Sequence, residues 1–390
     1  MKIHFLFVNR LIFTSLLLAI TLVGTAQKLP AKKEILAKMT VANNYFMAKW
    51  PDTGKEIVTN RTRPSHIWTR AVYYEGLMAL HSIDSQKRYV DYAVDWGQKH
   101  NWGMRSGIKT RNADDQCCGQ TYIDLYLLEQ RAGRNQPTYI HDIKASIDSM
   151  VASPKVDDWH WIDALQMAMP IFAQLGVLYK HRNDGPSAYH EKMYALYMYS
   201  KTKHGGNGLY NQADGLWWRD KDFVPPYKEP NGEDCYWSRG NGWVVAALVK
   251  VLEIMPKDAP HRAEYQQTYL EMMRALAPLQ RTDGYWNVSL HDPTNYGGKE
   301  MTGTALFVYG MAWGIRNGLL DKKQYAPIVA KGWNAMATES VDPTGRLGWV
   351  QGTGKEPKEG QPVTYTSIPD FEDYGLGCFL LAGSEVYKLK

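Results

Sequence analysis

The chain is 390 residues long, with 45 Lys and Arg against 40 Asp and Glu and a formal net charge of +5. Neither that balance nor any block of Lys and Arg marks a nucleic-acid partner. Cys117, Cys118, Cys235 and Cys378 have the wrong spacing for a zinc ribbon or finger; they could pair in an oxidising compartment, but they lie far apart in sequence and neighbouring cysteines rarely bridge each other, so the pattern leaves their pairing open.

In chain order, the first element reads as an export leader. Lys2 and Arg10 precede an apolar run from Leu11 to Val23, and Gly24-Thr25-Ala26 offers a small-residue cleavage point. A bilayer-spanning helix needs about 20 consecutive apolar residues. The run is therefore read as a leader over residues 1–26, leaving a periplasmic or secreted product with no membrane partner after its removal; an uncleaved anchor is the alternative.

Beyond the leader the apolar period is helical almost throughout. The predicted helices are Lys33 to Trp50, Trp68 to Ile83, Gln86 to Asn101, Cys117 to Gln130, Thr138 to Ala152 and Trp161 to Lys180. Tyr189 to Lys203, Arg239 to Met255, His261 to Gln280, Thr302 to Asn317, Lys322 to Thr338 and Glu372 to Leu389 follow. Turn signals separate many of them, as at Asn183-Asp184-Gly185-Pro186 and Asp342-Pro343-Thr344-Gly345. Gly205 to Asp234 and Thr282 to Lys299 are too long for plain connections and read as functional loops or short strands. No long linker divides the chain. Six helical hairpins, each roughly 58 residues, can close as alternating inner and outer helices into an all-α (α/α)6 barrel, a single domain over 27–390. An open superhelix would need a residue-level repeat, and none is visible.

Three helix starts carry candidate chemistry. Asp163 follows Trp159-His160-Trp161-Ile162; it can cap its helix, or act as a general acid whose pKa is raised by desolvation beside Trp161. Asp114 and Asp115 open another helix, again as caps or as a second cleft acid. Tyr236-Trp237-Ser238-Arg239-Gly240-Asn241-Gly242-Trp243 is the least ordinary stretch: its glycines allow close backbone approach and Arg239 offers a planar fork for a carboxylate, although Arg stacked on indole would be a purely structural account. Ser65-His66-Ile67-Trp68, Asn211 to Arg219 and Glu300 to Ala305 are weaker signals. The 14 Trp and 25 Tyr against 9 Phe hint at surfaces suited to stacking on sugars. His66, His160 and His204 lack metal-ligand spacing, no nucleotide or nucleophile motif is present, and no cofactor is expected.

The order of these segments resembles glycoside hydrolase family 105, the unsaturated rhamnogalacturonyl hydrolases. The resemblance runs from Trp68 to the C-terminal Tyr374 to Glu385, and rests most specifically on Trp161-Ile162-Asp163-Ala164-Leu165, Trp237 to Trp243 and Thr302-Gly303-Thr304-Ala305-Leu306. It implies an (α/α)6 barrel and a substrate bearing a Δ4,5-unsaturated uronic acid, the product of a pectin lyase. It places the catalytic acid of a W-x-D motif on Asp163. The second acid, of a D-x-x-x-x-G motif, falls on Asp114, with Asp115 as rival. Trp68, Asp115, Trp161, Trp237, Arg239 and Trp243 are the implied substrate-binding residues. Members commonly carry a His after the Gly-Leu-Tyr of the long loop, where this chain has Asn211-Gln212, which leaves the sugar beyond the scissile bond open.

The implied reaction hydrates an enol ether. Asp163 protonates C4, water adds at C5 with help from the resulting carboxylate, and the hemiketal collapses to expel the aglycone, while Arg239 holds the uronate carboxylate and Asp114 orients Asp163 or the ring hydroxyls. The alternatives are an unsaturated glucuronyl hydrolase of family 88 acting on glycosaminoglycan fragments, and an exported saccharide-binding protein without turnover.

Overall fold

All twelve predicted helical segments form helices, and burial sorts them into two sets. The structure is a computed structural model that describes residues 28–58, 62–179, 187–366 and 372–390; the expected leader and the turn at 183–186 lie outside them. The long helices are α1 (Lys32–Lys49), α2 (Trp68–His81), α3 (Lys87–Lys99), α5 (Cys118–Arg131), α6 (His141–Ala152), α7 (Asp163–Leu178) and α8 (Ala188–Thr202). They continue with α9 (Ser238–Ile254), α10 (Arg262–Leu276), α11 (Met301–Arg316), α12 (Lys322–Ala335) and α13 (Glu372–Leu389). A single turn that periodicity does not separate, α4 (Ala113–Gln116), precedes α5.

Helices α7, α9 and α11 are buried almost all round, the pattern of helices surrounded by others. By contrast α3 buries only the stripe Tyr89, Ala93, Trp96 and Gly97, one face at helical spacing. The inner set closes on itself, each packing on the next in the order α2, α5, α7, α9, α11, α13 and back to α2. Outer helices α1, α3, α6, α8, α10 and α12 alternate with them along the chain. The result is the (α/α)6 barrel that the hairpin count predicts, with its apolar core between the two rings.

Ring closure depends on small residues. A Cβ at Gly377 would sit 2.1 Å from the carbonyl oxygen of Val72, and one at Gly76 2.6 Å from that of Gly377, so α2 and α13 meet backbone to backbone. Polar groups bridge the inner helices on the axis. Lys250 of α9 pairs with Glu75 of α2 and donates to Gln120 Oε1 of α5 at 2.8 Å, while Gln166 Nε2 of α7 donates to Glu75 Oε2 at 2.7 Å.

The two long loops return to the starts of the inner helices. Beyond the antiparallel pair β1 (Ile57–Val58) and β2 (Thr62–Arg63) ahead of α2, the first loop holds the antiparallel pair β3 (Tyr210–Asn211) and β4 (Leu216–Trp217), the short strands expected there. Asn241 of α9 fastens it, accepting from Trp217 N at 2.9 Å and donating to Trp217 O at 3.0 Å. The second loop bridges Ser289 to Trp237 and Trp286 to Glu300. All four cysteines are buried free thiols. No described helix is long and apolar enough to cross a membrane.

Candidate active site

The starts of the inner helices converge on one mouth, and their unpaired N–H groups make that mouth electropositive. Trp68 opens α2, Asp114 lies in the turn before α5, Asp163 is the first residue of α7, and Trp237, Arg239 and Trp243 open α9. These six, with Trp161, Met167, Arg219 and Gly354, line one narrow cavity of about 50 Å³. Three predicted segments far apart in sequence thus meet in one place.

Asp163 is held in position by its neighbours in two ways. Ile162 N donates to Arg219 O at 2.9 Å and Trp161 forms an antiparallel bridge with Asp220, so the segment after β4 is stitched to the chain entering α7. That stitch brings Arg219 Nε to 2.8 Å from Asp163 Oδ2. The other side of the guanidinium, Nη1, reaches Asp220 Oδ2 at 2.7 Å. Arg219 is the main residue that sequence reasoning missed: it appeared only as the end of a weak aromatic segment, because nothing in its spacing announces the strand pairing that delivers it.

Asp163 is ion-paired as well as set close to Trp161. It is Asp114 whose carboxyl is pushed up to about 7, first by burial and then by the facing charge of Asp163, with Arg219 and Arg105 pulling the other way. One proton shared by two facing carboxyls is the arrangement expected when like charges crowd a small cavity.

Asp115, the rival acid, does not line this cavity. Its carboxylate accepts from Thr110 Oγ1 at 2.9 Å and pairs with Arg105 Nε at 2.7 Å, fixing the loop that presents Asp114. The helical turn explains the split, since adjacent residues project about 100° apart. Asp115 is thus buried in these contacts and stands outside the cavity lining, where the sequence expectation had it bind substrate.

Arg239 lines the cavity but is fully buried, with Nη1 donating to Gln351 O and Nη2 to Gly352 O, both at 2.7 Å. Its guanidinium lies 4.5 Å from the Trp237 ring centre and 5.1 Å from that of Tyr374. These two bonds anchor the 350s loop over the cavity, while the buried Nε is without a hydrogen-bond partner among the described residues. Trp237 supports the same loop, donating from Nε1 to Gln351 Oε1 at 2.9 Å. Trp68 stands edge-on to Trp243 at 6.2 Å between ring centres, so indoles form much of the wall. Asn211, where a His was anticipated, donates to Tyr236 Oη at 2.7 Å and serves the β3–β4 hairpin.

Arg219 also lines a second, open cleft of about 500 Å³, with His160, His204, Lys221 and Lys355 around it. Among the described residues no group of three or more His, Cys, Asp or Glu side chains converges as a metal site.

A helical barrel that gathers a carboxyl pair and indole walls at the starts of its inner helices is arranged to cleave sugars, and this one is a glycoside hydrolase. The chain belongs to Glycosyl Hydrolase Family 88, whose model matches residues 38–390. It is 34% identical over 339 residues to an unsaturated 3S-rhamnoglycuronyl hydrolase of Formosa agariphila, covering 83% of this chain and 85% of that one. It is 31% identical over 348 residues to a protein of the same name from an Alteromonas species, covering 84% and 78%. Among solved structures, a glycosyl hydrolase family 88 protein from Bacteroides vulgatus superposes with a TM-score of 0.81 at 30% identity, covering 93% of this chain and 100% of that one.

Proposed function

We propose that the chain removes a Δ4,5-unsaturated uronic acid from the non-reducing end of lyase-generated oligosaccharides by hydrating the C4=C5 double bond, with rhamnose as the neighbouring sugar. This is the chemistry of the rhamnogalacturonyl branch numbered family 105. The observation that carries the reading is the pair of facing carboxyls, Asp114 and Asp163, in one small indole-walled cavity. Hydrating an enol ether needs one proton delivered to C4 and one returned from water, which a pair sharing a single proton near neutrality can supply.

In the cycle, Asp163 gives its proton to C4 and cationic character develops toward C5 and the ring oxygen. Water adds at C5 and its proton returns to Asp163. The hemiketal then opens, releasing the aglycone and a 5-keto-4-deoxyuronate. Asp114 supports Asp163, and Trp68, Trp161, Trp237 and Trp243 form the walls against which the ring rests. A cavity of about 50 Å³ holds a few waters and not a whole sugar ring.

The names of the relatives from Formosa agariphila and the Alteromonas species favour rhamnose over a glycosaminoglycan sugar, and the open cleft beside Arg219 is where that sugar would lie. Export to the periplasm or beyond follows from the leader pattern at residues 1–26. Incubation with unsaturated rhamnose-linked and glycosaminoglycan disaccharides tests the assignment. Faster loss of the conjugated-acid absorbance on the rhamnose-linked set is the expected result. Turnover confined to the glycosaminoglycan set would reassign the substrate, and saccharide affinity without turnover on either set would make the chain a binding protein.

A further inference from the structure

Two features of the mouth are unexplained by the roles above. The residue assigned to the uronate carboxylate, Arg239, has its fork committed to Gln351 O and Gly352 O inside the protein. Arg219, by contrast, has Nε on Asp163 and Nη1 on Asp220, keeps about a fifth of its side chain exposed, and lines both the catalytic cavity and the open cleft. Its charge is accessible, and its ion-pair partner is the acid that must be protonated for the reaction.

A carboxylate entering this cavity competes with Asp163 for the same guanidinium. We propose that Arg219 is a switch: paired with Asp163 in the empty site, it turns to the uronate carboxylate when substrate binds, and the freed Asp163 becomes the member of the pair that carries the proton. The transfer balances without an outside reagent. A proton leaves Asp114 Oδ, which becomes a carboxylate, and arrives on Asp163 Oδ directly or through a water. Asp163 then delivers it to C4 and recovers one from the water that adds at C5. Only a substrate bearing a carboxylate arms the enzyme, so discrimination against neutral sugars is built into catalysis as well as binding.

Other charges face this pair but do not substitute for Arg219. Arg239 on α9 is fixed on carbonyls, and Arg105, behind Asp114, is paired with Asp115. Asp220 stays on the far side of the Arg219 guanidinium. In the open cleft Lys221 pairs with Asp222, Lys355 stands 3.7 Å from Asp222, and Lys155 pairs with Asp157. His204 is held below its ordinary value by burial, so it is neutral where Asp114 titrates; His160 is the remaining group to control.

The proposal rests on the hydration reading, so its test has one arm that needs no turnover. In that arm, calorimetry follows D-glucuronate and D-glucose binding to wild type, R219Q and R219K. Wild type should prefer the acid, R219Q should lose that preference by tenfold or more, and R219K should keep it to within several-fold. Glucuronate binding unchanged in folded R219Q overturns the switch whether or not the chain hydrates any substrate. In the second arm, the alkaline limb of kcat/KM should move up by about one pH unit in R219Q, because loss of a cation tightens the pair's hold on its proton. It should stay in place in R219K and in H160N. A fall in rate with an unmoved limb in R219Q would mean a merely structural role and overturns the proposal. If R219Q fails to fold, R219K decides: a several-fold rise in KM at an unmoved limb supports the switch, and wild-type kinetics refute it.

Discussion

Replacing Asp114 by Asn should abolish turnover and yet stabilise the protein at alkaline pH. The carboxyl stands at about 7 in the folded chain against an ordinary 3.8. A raised acid binds its proton more tightly when folded, so stability falls as pH climbs from about 4 to about 7 and is flat on either side. At about 1.4 kcal/mol per pH unit the full penalty at pH 8 is about 4 kcal/mol. Asp114 is only half-buried, and solvent screening reduces this to about 2 kcal/mol. Asn carries no charge and escapes the penalty. Thermal melts at pH 8 should therefore place Asp114→Asn about 3 °C above wild type, with the difference vanishing at pH 3, where both folded and unfolded Asp114 are largely protonated. An equal gain at both pH values, or none at pH 8, would refute the assignment of the shared proton to Asp114.

Asp163→Asn should lower kcat by about 10²–10⁴-fold while uronate affinity is kept or tightened, because the competitor for Arg219 is gone, measured by single-turnover kinetics and calorimetry; near-normal kcat would remove Asp163 from the chemistry. Lys250→Met leaves Glu75 buried at 1% exposure without its cation and should cost about 3 kcal/mol in urea unfolding, most of it recovered when Glu75→Gln is added. Gly377→Ala drives a methyl into the Val72 carbonyl, 2.1 Å away, and should lower the melting temperature by several degrees, whereas wild-type stability would mean that α2 and α13 can separate without cost.

The barrel was legible in the sequence because each of its helices carries its own signal. Inner helices such as α7 and α11 read as long apolar runs, outer ones such as α3 as a one-faced stripe, and hairpin closure follows from their alternation. The acids were legible as residues at helix starts, but which of Asp114 and Asp115 faces the cleft depends on a rotation within one turn that boundaries uncertain by a few residues cannot fix. Arg219 and Arg239 show the deeper limit. Arg239 stands in a conspicuous motif yet spends its donors on Gln351 and Gly352, more than a hundred residues away. Arg219 stands in no motif, and reaches Asp163 through a two-residue strand contact of Trp161 and Ile162 that hydrophobic periodicity cannot express. Long-range backbone pairing between loops leaves no local pattern. It is where the charge arrangement of this site is decided.

The most direct test of the account follows the ultraviolet absorbance of an unsaturated uronyl-rhamnose disaccharide with wild type and Asp163→Asn side by side at neutral pH. Wild type should bleach the absorbance while releasing one rhamnose per uronate, and Asp163→Asn should leave it essentially unchanged. Unchanged absorbance with wild type, a rise in absorbance on the uncleaved polysaccharide instead, or full activity in Asp163→Asn would each contradict it.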